Sequence, residues 1–457
     1  MGIRNKGRDW RFQWSMVMIA AAALVAYNAV ANLWLLHPAS CPIPPTIPPT
    51  EPPTCEPCFG KVSSAGADYD PIYTLDLRLG RWDGSRSYKI FDNVAVGELY
   101  SEMSTNYHVC LATQSSIERL HELLRIAAHW TGPISVAVFV AGDEMRLLRA
   151  FTTWLYKCQP EIYSRLALHI IMPAEKPGYN DGSLPKWARD CDVIPLPHEE
   201  RKAETVAWRA RHPYPQNHMR NLARKNTHTS YVFLVDIDIV PSTGMAEALN
   251  QFLDSSPKCP LCAYVVPTYE LDRRVAKFPA NKSELVRLSR SKLAIPFHRK
   301  VFIYNQFASN FSRWEASGGN ESELAHISHN VTNFELLYEP FYLASDTVPA
   351  HDERFLGYGF TRNSQPPSHR AGTDRFVAPP AKWSRIRDVL IGYQFKVLSP
   401  IFTIHWGIQT RRNRPLWREK QNENNRKHFE TFKKELFARY RKDPLHLLKR
   451  PQQAKKT

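Results

Sequence analysis

The sequence predicts an α/β fold, a largely parallel sheet with helices over both faces. Two observations carry that expectation. Between residues 107 and 240 short apolar runs alternate with amphipathic stretches of helical period. The runs are also nearly continuous in apolar character, as strands covered on both sides must be. In order, "HVCLAT" reads as a strand and "SSIERLHELLRIAAHW" as a helix with Ser115 or Ser116 as its cap. "PISVAVFV" is a second strand, "DEMRLLRAFTTWLYKC" a second helix and "RLALHIIMP" a third strand. "NHMRNLARKNTH" makes the next helix, and "YVFLVDIDIV" the fourth strand. Ligands on such sheets bind beyond the carboxyl ends of the strands, where Asp236 and Asp238 fall.

Ahead of this block the chain changes character twice. Arg4, Lys6, Arg8 and Arg11 precede an uncharged apolar run at 12–36, long enough to span a bilayer, where about 20 residues suffice. Positive charge before the run and none shortly after it predict a signal anchor with a cytosolic tail at 1–11. "HPASCPIPPTIPPTEPPTCEPCFG" is rich in Pro and Thr and reads as an extended spacer within a stem at 37–105. The folded domain is expected over 106–442, and a basic tail over 443–457.

Of the formal charge of +16, most lies at the C-terminal end, where residues 411–456 carry sixteen Lys/Arg against five Asp/Glu. Nucleic-acid binding is not the expectation, because the address is lumenal. The apolar spacing of "HFETFKKELFARYRKDPLHLL" predicts an amphipathic helix packed on the domain. Eight Cys are too few for a disulfide scaffold in 457 residues. Cys158 and Cys191, in adjoining α/β units, are expected to pair, while Cys41, Cys55 and Cys58 in the stem are able to link two chains as a homodimer. Cys259 and Cys262 form a C-x-x-C pair without His partners, so a metal site there is the weaker reading. Four N-x-[S/T] triplets, at Asn281, Asn310, Asn320 and Asn330, suit glycosylated loops.

The chemistry concentrates in "YVFLVDIDIVPSTG". Two carboxylates ending a buried strand are costly unless a cation or donors offset them. Read as an extended chain, Asp236 and Asp238 share one side and their oxygens converge on one hard cation. The bland alternative is a pair of turn or capping aspartates. His405 in "SPIFTIHWGIQ" ends a further apolar strand and is a candidate third ligand. In "LLYEPFYLASDTVPAHDERFLGYGF", Glu339 opens an aromatic cluster and Asp352 with Glu353 opens what reads as a short helix. Adjacent carboxylates at a helix start either complement its dipole or supply a general base.

"YPQNHMRNLARKN", "YVFLVDIDIVPS", "NFSRW", "EPFYLA", "HDERFLGYGF" and the His of "FTIHWG", in that order, resemble the β-1,4-glucuronyltransferases and, more distantly, the C-terminal domain of the LARGE glycosyltransferases. The resemblance covers roughly 107–440. It implies a GT-A fold, manganese, UDP-glucuronate as donor and inversion at the anomeric carbon. It also implies a xylose-terminated acceptor on a glycoprotein such as dystroglycan, and a Golgi membrane address. Carried over by residue, Asp236, Asp238 and His405 bind the metal, Thr113, Arg220 and Asn221 hold the donor, and Asp352 or Glu353 is the base. Two other readings stand beside it: a related transferase with another UDP-sugar or acceptor, and a non-catalytic glycan-binding membrane protein.

Overall fold

The structure, a computed structural model, describes residues 70–179, 182–317, 324–333, 337–362, 393–410 and 415–440, with Met18, Ala22, Leu24 and Val25 near the N-terminus. The anchor expected at 12–36, apart from those four residues, lies outside the described residues. So do Cys41, Cys55, Cys58, Asn320 and the tail at 443–457. Among the described residues no helix is long and apolar enough to cross a membrane. The chain divides into two units, 1–65 and 66–457, and the second holds the elements that follow.

Its strands are β1 (Arg81–Trp82), β2 (Tyr88–Val96), β3 (Val109–Ser116), β4 (Ile134–Phe139), β5 (Leu166–Pro173), β6 (Tyr231–Leu234), β7 (Ile239–Pro241), β8 (Cys262–Val266), β9 (Thr268–Leu271), β10 (Ala294–Pro296), β11 (His326–Asn330), β12 (Phe341–Ser345), β13 (Gln394–Ser399) and β14 (Thr403–Trp406). Ten of them form one sheet in the order β1-β2-β5-β4-β3-β6-β12-β8-β13-β11, and four form a second, β10-β9-β14-β7. The centre of the large sheet is parallel, β5 to β4 to β3 to β6, as the alternating pattern predicts. Antiparallel neighbours flank it on both sides, and five of the sheet's nine pairings are antiparallel, so the sheet as a whole is mixed and only its centre is parallel as expected. β3, β4 and β5 are buried along their whole length, which accounts for their unbroken apolar character.

The helices that matter for the site are α1 (Leu123–His129), α2 (Glu144–Cys158), α3 (Gln216–Lys225) and α4 (Leu416–Tyr440). α2 buries Leu148, Phe151, Trp154 and Leu155 against the sheet. Cys158 at its end is bonded to Cys191, as expected, and Cys259 is bonded to Cys262.

Three expectations are corrected. Residues 70–105 are not a stem: β2 pairs with β5, and Arg149 of α2 holds Asp70 at 2.6 Å with both side chains 7% exposed. The region after Ser116 begins as a 3₁₀ turn at Ile117–Glu122 before α1, because Ser115 and Ser116 stay in β3. "YVFLVDIDIV" is not one strand. β6 ends at Leu234, β7 begins at Ile239, and the two belong to different sheets.

Candidate active site

The break between β6 and β7 is what exposes the carboxylate pair. The chain turns at Ile237 and Asp238, closed by Ile239 N–H donating to the Asp236 carbonyl at 2.9 Å. Asp236 and Asp238 therefore sit in a turn where one sheet hands over to the other, and not on one face of a strand. They open into a cavity of about 1550 Å³. Its walls come from the end of β3, the turn after it, α3, the start of β12, the segment 357–362, the end of β14 and the head of α4.

The two aspartates differ in their partners. Asp236 Oδ1 receives Arg220 Nη2 at 3.1 Å and Gln114 Nε2 at 3.3 Å, and Arg362 Nη2 stands 3.0 Å away. The Tyr214 hydroxyl donates to Gln114 Oε1 and fixes that amide. Burial pushes the Asp236 carboxyl up, but Arg362 and Arg220 outweigh it and hold the group well below the usual carboxylate range. Burial likewise opposes ionisation of Asp238, which is held down by His405 and then by Arg119, 3.1 Å from Oδ2.

His405 comes from β14, as the sequence suggests, and its Nε2 is 3.5 Å from Asp238 Oδ2. Its Nδ1 lies 2.9 Å from the Gly407 carbonyl, an acceptor only, so Nδ1 carries the hydrogen and Nε2 faces the carboxylate. Burial lowers the imidazole pKa, but Asp238 and Glu270 together raise it. Nε2 thus sits where a proton or a cation satisfies the carboxylate. Glu270 is fully buried, and its oxygens accept the N–H groups of His298 and Gln409, tying two cavity-lining loops to β9.

The donors suit a hard cation in kind: carboxylate oxygens and an imidazole with its outer nitrogen fixed. Among the described residues no three His, Cys, Asp or Glu groups are already gathered for one, so Asp236, Asp238 and His405 do not stand as a closed ligand set, and Asp236 Oδ1 is engaged by two arginines.

The expected bases lie elsewhere. Asp352 and Glu353 do not line the cavity, and the segment around them is a turn, not a helix. Asp352 is clasped by Arg354, which also pairs with Glu435 of α4. Glu353 accepts from Asn221 Nδ2 at 2.9 Å. Asn221 also holds the backbone of His351 from both sides, and Asn217 donates to the Asp352 carbonyl. With Arg224 on the Pro349 carbonyl, one face of α3 pins the segment 349–353. Asn221 and both expected bases belong to that fastening. Thr113 is fully buried in β3, while its neighbours Gln114, Ser115 and Ser116 face the cavity.

Within 337–362 the carboxyl that does face the cavity is Glu339, just ahead of β12, while Glu118 and Glu122 line it from the turn after β3. Asn305 Nδ2 donates to its Oε2 at 2.8 Å. Burial pushes its pKa up from 4.5 to about 7, against the opposing pull of Arg362 and Arg220. Composition flagged this segment only as an aromatic cluster, and nothing in the sequence singled out Arg119, Gln114 or Arg362. Of the expected glycosylation sites, Asn310 and Asn330 are exposed, and Asn281 caps a helix, accepting from Glu284 N–H.

Comparison with known proteins agrees with this architecture. A family profile described as a glycosyl-transferase for dystroglycan matches residues 108–441. The chain is 32% identical over 372 residues to beta-1,4-glucuronyltransferase 1 of Mus musculus, covering 80% of this chain and 82% of that one. It is 31% identical to the Homo sapiens protein of the same name over the same shares. Xylosyl- and glucuronyltransferase LARGE1 of Mus musculus is 25% identical over 58% of this chain and 29% of its own. With its profile running from β3 to the end of α4 and its cavity at the carboxyl ends of the parallel strands, the chain is a glycosyltransferase and belongs to the dystroglycan glycosyl-transferase family.

Proposed function

We propose that the chain transfers glucuronate from UDP-glucuronate to a xylose-ended glycan on a glycoprotein such as dystroglycan, with β-1,4 linkage and inversion. The observation that carries the proposal is one cavity that joins a pair of arginine-held aspartates to a carboxyl titrating near neutrality. Two donors in its wall, Arg220 Nε and Arg418 Nε, are buried without a hydrogen-bond acceptor among the described residues. Such donors suit a substrate bearing a diphosphate and a uronate. The names of the relatives support the same donor.

Asp238 and His405, with Asp236 as a further oxygen donor, would hold a manganese ion, which when bound supplies positive charge against the departing diphosphate. The chain's own residues do the rest. Arg220 and Arg362 add fixed cationic charge where negative charge grows on the leaving group. Glu339 accepts the proton of the attacking hydroxyl as the acceptor oxygen bonds to the anomeric carbon and the bond to UDP breaks. In this reading Glu339 takes the role expected of Asp352 or Glu353. Tyr358, Trp406 and the half-exposed Trp417 line the same cavity and offer ring faces to an acceptor sugar.

An N-terminal signal anchor and a Golgi lumenal address complete the proposal. The apolar run at 12–36, the four sequons and two disulfides support them, since disulfides persist in oxidising compartments. The deciding experiment is UDP release by the lumenal fragment over a panel of UDP-sugars with a xyloside acceptor, with and without manganese. Manganese-dependent turnover of UDP-glucuronate is the expected result. Turnover of another UDP-sugar alone retires the glucuronyl assignment, and turnover of none moves weight to glycan binding without catalysis.

A further inference from the structure

The segment 356–362 forms neither strand nor helix, yet it brings Thr361 and Arg362 into the cavity. Thr361 Oγ1 accepts from Arg220 Nη1 at 3.0 Å, and Arg362 Nη2 stands 3.0 Å from Asp236. Placing a guanidinium against one particular carboxylate demands a fixed backbone, and the fixing groups come from α4.

Asn425, 2% exposed, directs its Nδ2 at three carbonyls of the segment: Leu356 at 2.9 Å, Tyr358 at 3.1 Å and Gly359 at 2.9 Å. One turn earlier, Gln421 Oε1 accepts the Tyr358 N–H at 3.0 Å. Gly357 and Gly359 adopt φ of +72° and +94°, and a Cβ on either would overlap the side chain of Gln421 or Asn422. Apolar packing backs the polar contacts. Phe355 meets Phe429 and Phe432, and Phe360 stacks on Phe429 with ring centroids 5.0 Å apart.

We propose that Asn425 is a positioning residue of the catalytic centre: by gathering three carbonyls of the segment 356–362 it sets Arg362 against Asp236. The role rests on the reading of the cavity as a glycosyl-transfer site. An amide suits the task because its two N–H groups serve acceptors that burial would otherwise leave unsatisfied. The helix expected to be a packed amphipathic tail thereby becomes part of the site, although Asn425 itself does not line the cavity.

The test compares Asn425→Ala, Arg362→Gln and the double variant, with Phe432→Leu as a control that loosens the apolar packing of α4 on Phe355 but removes no hydrogen bond to residues 356–362. Asn425→Ala is expected to lower kcat roughly ten- to a hundredfold, the scale of a misplacement near 1 Å. The double variant should fall no further than Arg362→Gln, because the arginine being positioned is already gone. Phe432→Leu, at a matched loss of Tm, should keep kcat. Hydrogen exchange at the Tyr358 amide should rise in Asn425→Ala while β4 stays protected. Additive losses, an equal kcat loss in Phe432→Leu, or unchanged exchange at Tyr358 would overturn the proposal. Should the wild-type chain turn over no UDP-sugar, the reading of the cavity fails, and the exchange result alone decides what Asn425 holds.

Discussion

Arg362 Nη2 stands 3.0 Å from Asp236 Oδ1, the same oxygen that Arg220 reaches at 3.1 Å, so one carboxylate answers two buried guanidiniums. Asp238, two residues on, answers one exposed guanidinium and an imidazole. Equal removal of the two carboxylates therefore has unequal consequences for the fold.

Asp236→Asn leaves Arg220, 2% exposed, and Arg362 without the carboxylate that pairs with both. Breaking a buried pair from one side costs about 3 kcal/mol, because the remaining charge is uncompensated. Asp238→Asn leaves Arg119, already half exposed, to water, and should cost less than about 1 kcal/mol. Both variants should lose activity by at least about a hundredfold, the scale of one lost electrostatic contact in a transition state. Urea unfolding of the two variants side by side checks the asymmetry, and equal losses of stability would contradict it.

Glu339 carries the pH dependence. With its pKa raised from 4.5 to about 7 by burial, the carboxylate form needed of a base accumulates only as pH rises through about 7. kcat/KM should climb over that window, and Glu339→Gln should remove the limb with a loss of roughly a hundred- to ten-thousandfold. Asp352→Asn and Glu353→Gln should leave the limb in place. The sign for stability is opposite. A raised pKa means the folded state holds the proton more tightly, so this contribution is present below about 4.5 and lost as pH rises through about 7. Glu339→Gln should flatten that part of the stability profile.

His405 and Asp238 are separated by 167 residues of sequence and 3.5 Å of space. If they share manganese, chelation should abolish turnover and His405→Ala should raise the manganese needed for half activity by more than about tenfold, the smaller end of the loss seen even for outer-shell changes. Direct manganese titration by calorimetry checks this without turnover. An unchanged affinity in His405→Ala would remove the imidazole from the donor set.

The parallel core was legible because strands buried on both faces must be apolar throughout, and β3, β4 and β5 are. His405 was legible because an apolar run ends at it. The turn between β6 and β7 was not, since Val235 and Ile237 are buried in a turn just as they would be in a strand. Glu339 and Arg362 gave no local sign: what makes them cavity residues is the pairing of β12 with β6 and the grip of α4 on residues 356–359, both long-range. Asn221, Asp352 and Glu353 misled for the converse reason. They form a polar cluster in space that fastens a loop, and a fastening cluster carries the same residue types as a site.

The two disulfides close loops of very different size, and their removal separates scaffold from local geometry. Cys158 and Cys191 are 33 residues apart, joining the end of α2 to the loop that precedes the cavity wall. Opening a loop of that length costs about 3–4 kcal/mol by the chain-entropy account. Cys259 and Cys262 are three residues apart at the entry to β8, where little chain entropy is at stake. The Cys158→Ala, Cys191→Ala pair should therefore lower urea stability by about 3 kcal/mol, and the Cys259→Ala, Cys262→Ala pair by less than about 1 kcal/mol. Because neither bridge lines the cavity, kcat per folded molecule should stay within about twofold in both. A larger kcat loss in the second pair, at unchanged stability, would show that the entry to β8 is coupled to the catalytic centre through β12.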